Sequence, residues 1–204
     1  MIEIRHLSGP EPAEARTGLV LLHGRGSHAY DMAPLAEAIV AADTCVLAPD
    51  APGGTWYPNR FLVDPEINQP WLGQALDAVA EAVERLAATV GYDRIVVAGF
   101  SQGACLALEF AGRRPARYGG VAAYAGALIG PSPLAGGYAG DLTGTPVLLA
   151  VGDQDQHVKP EYVRASAEVF TGLGARVDLR IRPGMGHTIH PLDLEPVRTL
   201  ISHL

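Results

Sequence analysis

The strongest constraint on the fold is the alternation of short apolar runs with stretches of helical spacing. Six runs rich in aliphatic residues predict strands, at residues 18–23, 44–48, 94–100, 120–124, 146–151 and 175–181. The middle four are apolar at consecutive positions, which is typical of strands covered on both faces. The last run alternates as an edge strand does, and residues 2–7 are expected to add an antiparallel edge.

Five stretches between these runs carry apolar residues every three or four positions and predict helices, at residues 32–42, 71–90, 104–113, 160–173 and 194–203. Alternating strands and helices favour an α/β fold with a mostly parallel central sheet and helices on both faces. A length of 204 residues favours one domain over residues 1–204. Residues 51–70 contain four prolines and predict a long ordered loop.

Charge and composition exclude several classes of partner. The formal net charge of −7 repels phosphate backbones, so nucleic acid is not an expected partner. No sustained apolar run of about 20 residues predicts a membrane span, since seven glycines interrupt the uncharged residues 118–140. Cys45 and Cys105 lie in apolar runs and are expected in the core. Without a visible secretory signal, a reducing cytoplasm is the expected location.

A nucleophile motif lies between the third predicted strand and the helix that follows it. Residues 99–103 read Gly-Phe-Ser-Gln-Gly, a G-x-S-x-G pattern in the strand-turn-helix setting where the serine hydroxyl stands clear of the sheet. Ser101 is therefore the predicted nucleophile. Since a hydroxyl needs a base, His187 is predicted to accept its proton, from the loop after the last strand, with His190 as the competitor. No third ligand is spaced to make this His pair a zinc site, and no metal is expected.

Two aspartates compete to orient the base. Asp153 and Asp155 both follow the penultimate strand, which gives the chain order Ser, Asp, His, and spacing alone leaves the choice between them open. For the developing oxyanion, the backbone N–H of Gln102 opens the helix after the serine, and that of Arg25 lies between two glycines after the first central strand. The Arg25 side chain either pairs with an anionic substrate or faces solvent.

Four motifs together resemble one family: Leu-His-Gly-x-Gly, Gly-Phe-Ser-Gln-Gly, Gly-Asp-x-Asp-x-x-Val and Gly-x-Gly-His. In this order they are similar to the phospholipase/carboxylesterase family of small α/β-hydrolases, related to acyl-protein thioesterases and more distantly to dienelactone hydrolases. The resemblance implies an α/β-hydrolase fold with little or no cap domain. It also implies Asp155 as the triad acid, Arg25 as the second oxyanion donor, no cofactor, and a homodimer.

These residues predict a serine carboxylesterase that hydrolyses small to medium esters through an acyl-enzyme on Ser101. The alternatives are a thioesterase or lactone hydrolase with the same triad and, in another class, a noncatalytic binding module. Acyl-protein thioesterases carry Leu-Gly-Asp where this chain has Arg-Gly-Ser at residues 25–27, which disfavours long lipid-acyl substrates. Trp56, Phe61 and Trp71 are predicted to wall the substrate pocket, the alternative being that they only pack the loop onto its neighbouring helix.

Overall fold

A computed structural model describes residues 2–132 and 137–204 of the chain. Within these residues the chain forms a seven-stranded sheet in the order β1-β3-β2-β4-β5-β6-β7. Neighbouring strands are parallel, except that β1 pairs antiparallel with β3. The strands are β1 Glu3–Ser8, β2 Thr17–Leu22, β3 Thr44–Asp50, β4 Ile95–Phe100, β5 Gly120–Tyr124, β6 Pro146–Gly152 and β7 Arg176–Arg182. The predicted mostly parallel sheet with an antiparallel edge is confirmed.

Helices cover both faces of this sheet. They are α1 Ala33–Ile39, α2 Trp71–Val90, α3 Gln102–Arg113, α4 Pro160–Gly172 and α5 Glu195–His203. Along β2, Leu19 and Leu21 pack on the side of α1 and α5, whereas Val20 and Leu22 pack on the side of α2, α3 and α4. This split follows from the two-residue period of a strand, and it explains why the central strands are apolar at every position.

The predicted boundaries differ from the structure mainly around two helices. Helix α1 ends at Ile39 rather than at residue 42, because Val40 already has an extended backbone that leads toward β3. Helix α3 begins at Gln102, two residues earlier than predicted, since the chain turns into the helix directly after Ser101. Residues 51–70 form a loop with short 3₁₀ turns at Pro52–Gly54 and Pro65–Asn68.

The uncharged segment and the two cysteines singled out in the sequence can be compared with the fold. In the uncharged residues 118–140, β5 forms as predicted, and residues 133–136 of the glycine-rich loop lie outside the described residues. None of the helices described is long and apolar enough to cross a lipid bilayer. Both cysteines are buried, and burial raises the pKa of the Cys45 thiol to about 11. A thiol in this environment is a core side chain, as the sequence predicts.

A buried carboxylate ties helix α3 to the loop after β5. Glu109 is fully buried, and its Oε2 accepts hydrogen bonds from the Ile129 N–H at 3.0 Å and from the Tyr138 hydroxyl at 2.8 Å. Its Oε1 pairs with the guanidinium of Arg113 one helical turn further on. Since a buried charge is tolerated only with such partners, these contacts hold α3 against its neighbouring loop.

Replacing Glu109 with leucine should lower the free energy of unfolding by about 2–4 kcal/mol, because the Ile129 N–H and the Tyr138 hydroxyl lose their acceptor. Glu109→Gln should lower it by only about 1–2 kcal/mol, since the amide oxygen still accepts. Urea unfolding of the wild type and both variants measures the difference. Equal losses in the two variants would show that the acceptor is not what stabilises this junction.

Candidate active site

A sharp turn between β4 and α3 presents the side chain of Ser101. Ser101 has φ +54° and ψ −118°, a backbone conformation that residues with a side chain rarely adopt. The turn depends on two glycines, because a Cβ at Gly103 would lie 2.2 Å from the Leu22 carbonyl oxygen and one at Gly99 would lie 2.5 Å from the Gly103 backbone. The close packing at these glycines keeps the serine in its strained conformation at the carboxyl edge of the sheet.

Three side chains from distant parts of the chain meet at this edge. His187 Nε2 lies 2.8 Å from Ser101 Oγ, and His187 Nδ1 lies 2.7 Å from Asp155 Oδ2. Asp155 follows β6 and His187 follows β7, so both loops leave the sheet at the edge where Ser101 stands. The arrangement is a hydrogen-bonded relay from hydroxyl to imidazole to carboxylate, which is the geometry that activates a serine nucleophile.

The structure distinguishes the two aspartates that spacing left open. Asp155 is buried, and its Oδ1 accepts the backbone N–H groups of His157 and Val158 at 2.8 and 2.9 Å. Only Oδ2 then faces His187, so the imidazole carries its hydrogen on Nδ1 and offers the Nε2 lone pair to Ser101. Asp153 instead accepts the Gly184 N–H at 2.7 Å and braces the loop that leads to His187.

The other candidate histidines take different places. His190 accepts the Leu192 N–H at the start of a short 3₁₀ turn and does not approach Ser101. His157 lies beside His187, with ring centroids 4.7 Å apart and ring planes tilted by 60°. In the described part of the chain, no group of three or more His, Cys, Asp or Glu side chains is arranged to hold a metal ion.

The two backbone donors predicted for an oxyanion flank Ser101. The Gln102 N–H is in the first turn of α3, where no intrahelical acceptor exists. Arg25 lies in the loop after β2, and that loop runs against the nucleophile, since a Cβ at Gly24 would come within 3.5 Å of Ser101 Cβ. Among the described residues neither N–H has an intramolecular acceptor. Both are therefore available to a ligand oxygen.

A buried histidine supports the loop that carries Arg25. His23 is fully buried, its Nδ1 lies 2.8 Å from the Gly24 carbonyl oxygen, and its Nε2 accepts the Ala51 N–H at 3.0 Å. This pattern requires a neutral ring with its hydrogen on Nδ1. Burial lowers the pKa of His23, although the bond to Gly24 and the charge of Asp50 oppose the effect. His23 thus links the loop that carries Arg25 to the loop after β3.

Ser101 and His187 line a cavity of about 1000 Å³. Of the three aromatic residues predicted to wall the pocket, only Phe61 lines it. Trp56 is wrong as a pocket residue, because its ring is 2% exposed, stacks on His23 and donates its Nε1–H to the His23 carbonyl oxygen at 2.8 Å. Trp71 is also wrong, because it is the first residue of α2 and its side chain is 51% exposed outside the cavity.

Arg25 is exposed, as one of the two alternatives from the sequence predicts, but its side chain is also bonded to the protein. Its guanidinium donates to the carbonyl oxygens of Tyr57, Pro58 and Asn59 at 3.0, 2.9 and 2.7 Å. The exposed guanidinium is thus bonded to the loop between β3 and α2 and does not extend freely into the pocket or the solvent.

Comparisons with known proteins agree with this architecture. The model of the Phospholipase/Carboxylesterase family matches residues 9–204. A phospholipase/carboxylesterase from Dyadobacter fermentans of known crystal structure superimposes with a TM-score of 0.93 at 36% identity, over 99% of this chain and 97% of that chain. Acyl-protein thioesterase 1 of Saccharomyces cerevisiae is 26% identical over 211 residues, 92% of each chain. Its namesake in Gibberella zeae is 32% identical over 116 residues, which span 53% of this chain and about half (47%) of that relative.

The lowered pKa of His23 predicts a pH dependence of stability. As the pH falls from 7.5 to 5.5, the unfolded chain binds a proton at this ring near its ordinary pKa of about 6.5, whereas the folded chain resists it. The free energy of unfolding should therefore fall over this range, and it should fall less steeply in His23→Gln. Urea unfolding at both pH values tests this, with His203→Gln as the exposed control that keeps the wild-type dependence. Equal dependence in wild type and His23→Gln would contradict a neutral buried ring.

Proposed function

Since the chain belongs to the phospholipase/carboxylesterase family, we propose that it is a serine carboxylesterase that hydrolyses small to medium carboxylic esters through an acyl-enzyme on Ser101. The observation that carries the proposal is the relay in which His187 lies 2.8 Å from Ser101 Oγ and 2.7 Å from Asp155 Oδ2. This relay supplies a nucleophile, a base and a group that orients the base.

In the proposed reaction, His187 Nε2 takes the proton of Ser101 as Oγ attacks the ester carbonyl carbon. Asp155 stabilises the imidazolium that forms, and the N–H groups of Arg25 and Gln102 bind the negative carbonyl oxygen. Collapse of the tetrahedral intermediate expels the alcohol, which receives its proton from His187. A water molecule, activated by the same imidazole, then attacks the acyl carbon and releases the acid and free Ser101.

The lining of the cavity supports apolar acyl and alcohol groups. Apolar side chains reach it from the start of α1, from the end of β4 and from the residues before α5, and others from the loop after β3 and from α3. They include Met32, Leu35, Phe100, Ile189 and Leu194 on the first side and Tyr57, Phe61 and Cys105 on the second. Ser101 and His187 line the same space. A cavity of this size and polarity is typical of small-molecule sites.

A thioesterase is the second candidate, because both acyl-protein thioesterases named above are relatives of this chain and the same attack cleaves a thioester. A lactone hydrolase would use the same groups. A noncatalytic module has less support, since nucleophile, base, acid and both backbone donors are present together. A homodimer and a cytoplasmic location stay predictions from the sequence.

Ser101→Ala should lower kcat/KM for p-nitrophenyl butyrate by at least about a thousandfold, because no other hydroxyl is held at His187 Nε2 among the described residues. Wild type should prefer this oxyester to a butyryl thioester at matched concentration by kcat/KM. The alanine variant should keep the wild-type unfolding transition, which serves as the folding control. Undiminished hydrolysis by Ser101→Ala would exclude the acyl-enzyme, and preference for the thioester would select the second candidate.

The two aspartates form a matched pair for a second test. Asp155→Asn should lower kcat roughly ten-thousandfold, because the buried Oδ1 position must stay an acceptor and the amide nitrogen then faces His187. Asp153→Asn should stay close to wild type, since its oxygen still accepts the Gly184 N–H. Steady-state kinetics on the same ester compares the two. An equal loss of kcat in the two variants, or a larger loss in Asp153→Asn, would contradict the assignment of Asp155 as the acid that orients His187.

A further inference from the structure

One segment of the loop between β3 and α2 contacts both residues whose N–H groups flank Ser101. We term residues 54–59 the bracing segment. The Arg25 guanidinium donates to three successive carbonyl oxygens of this segment, at distances of 2.7 to 3.0 Å. The Gly26 N–H also donates to the Gly54 carbonyl oxygen, at 2.7 Å. We term residues 23–27, which follow β2, the oxyanion loop. This loop is thus bonded to the bracing segment at Arg25 and at Gly26.

Gln102 is bonded to the same segment from the other side. Its Oε1 accepts the Trp56 N–H at 3.1 Å and the Thr55 hydroxyl at 3.2 Å. Its Nε2 donates to the Tyr57 carbonyl oxygen at 2.8 Å, and this oxygen also accepts from Arg25 at 3.0 Å. The Thr55 hydroxyl also lies 3.3 Å from this oxygen, but its one hydrogen can be donated to Gln102 Oε1 instead. The two lone pairs of the Tyr57 carbonyl oxygen then accept from Gln102 and Arg25. One buried oxygen therefore joins the side chains of both proposed oxyanion residues.

Hydrogen bonds at Gly24 and Gly26 hold the two ends of the oxyanion loop, but the Arg25 peptide between them needs a further tether. Gly24 and Gly26 flank Arg25, and a Cβ at Gly26 would meet no atom within 4 Å. A peptide between two glycines has more rotational freedom than one between residues with side chains. The Gln102 peptide is held by α3, whereas the Arg25 peptide depends on bonds to its surroundings. Among these are the three bonds that the Arg25 side chain itself donates.

We propose that the side chains of Arg25 and Gln102 are positioning residues that set the separation of their own backbone N–H groups through the Tyr57 carbonyl oxygen. This inference rests on the proposed esterase function and adds a second role to each residue. The oxyanion is absent from the bound ester and develops only in the tetrahedral intermediate and the transition states beside it. A change in donor separation should therefore lower kcat and leave KM unchanged. A displacement of about 1 Å at such a site can cost about a hundredfold in rate.

Two variants that preserve net charge test the proposal. Arg25→Lys keeps the charge but cannot reach three carbonyl oxygens with one ammonium group, and Gln102→Met keeps the length but removes all three bonds. Each should lower kcat for p-nitrophenyl butyrate by about 10- to 100-fold with KM within about twofold. The affinity for a trifluoromethyl ketone, which forms an oxyanion adduct with Ser101, should fall by the same factor as kcat.

The double variant and a surface control complete the experiment. Because both side chains act through one oxygen, the double variant should lose less than the product of the two single losses. Arg85→Met, on the exposed face of α2, should match wild type. If Gln102→Met does not fold, Arg25→Lys tests the proposal alone, because Arg25 is exposed and its replacement is not expected to disturb the core.

Wild-type kcat in the variants would overturn the positioning role, as would a fall in kcat with unchanged affinity for the ketone. A loss of kcat in the double variant equal to the product of the two single losses would also overturn the claim that both side chains act through the Tyr57 carbonyl oxygen. Absence of Ser101-dependent hydrolysis in the wild type would instead refute the proposed function, so the two failures are distinguishable.

Discussion

The steric requirement at Ser101 governs the rest of the site. Helix α3 approaches β4 at Gly99 and the end of β2 at Gly103 so closely that neither glycine has room for a Cβ, and the serine between them takes a positive φ. In a parallel sheet the carboxyl ends of successive strands share one edge, so the loops after β2, β6 and β7 reach the same place. The turn therefore supplies the point around which the other side chains assemble.

Local patterns were enough to predict most of the framework. Strand periods, the position of Ser101 between a strand and a helix, and the loop position of His187 are all encoded within a few residues. The choice between Asp153 and Asp155 was not, because it depends on which residue of the loop after β7 each carboxylate contacts, Gly184 for Asp153 and His187 for Asp155. For that choice a family resemblance carried information that spacing does not contain.

The aromatic residues and Arg25 show what sequence reasoning misses. Aromatic character does not state which side of a loop a ring occupies, and Trp56 turns toward His23 because its ring N–H finds a buried carbonyl acceptor there. The side chains of Arg25 and Gln102 bond to residues more than thirty positions away in the chain. No local pattern predicts such contacts, although the glycines beside Arg25 signal that its peptide must be held by something else.

The glycine contacts around α3 also determine where such an enzyme can vary. Positions 99 and 103 hold α3 against β4 and β2, and a Cβ at Gly126 would lie 2.4 Å from Ala104 Cβ on the neighbouring turn. Backbone atoms thus enclose the start of α3 on several sides, and a larger side chain at any of these glycines would collide with them. Changes of specificity, in nature or by directed evolution, are left to the connecting segments that line the cavity, around residues 31–35, 57–61 and 189–194.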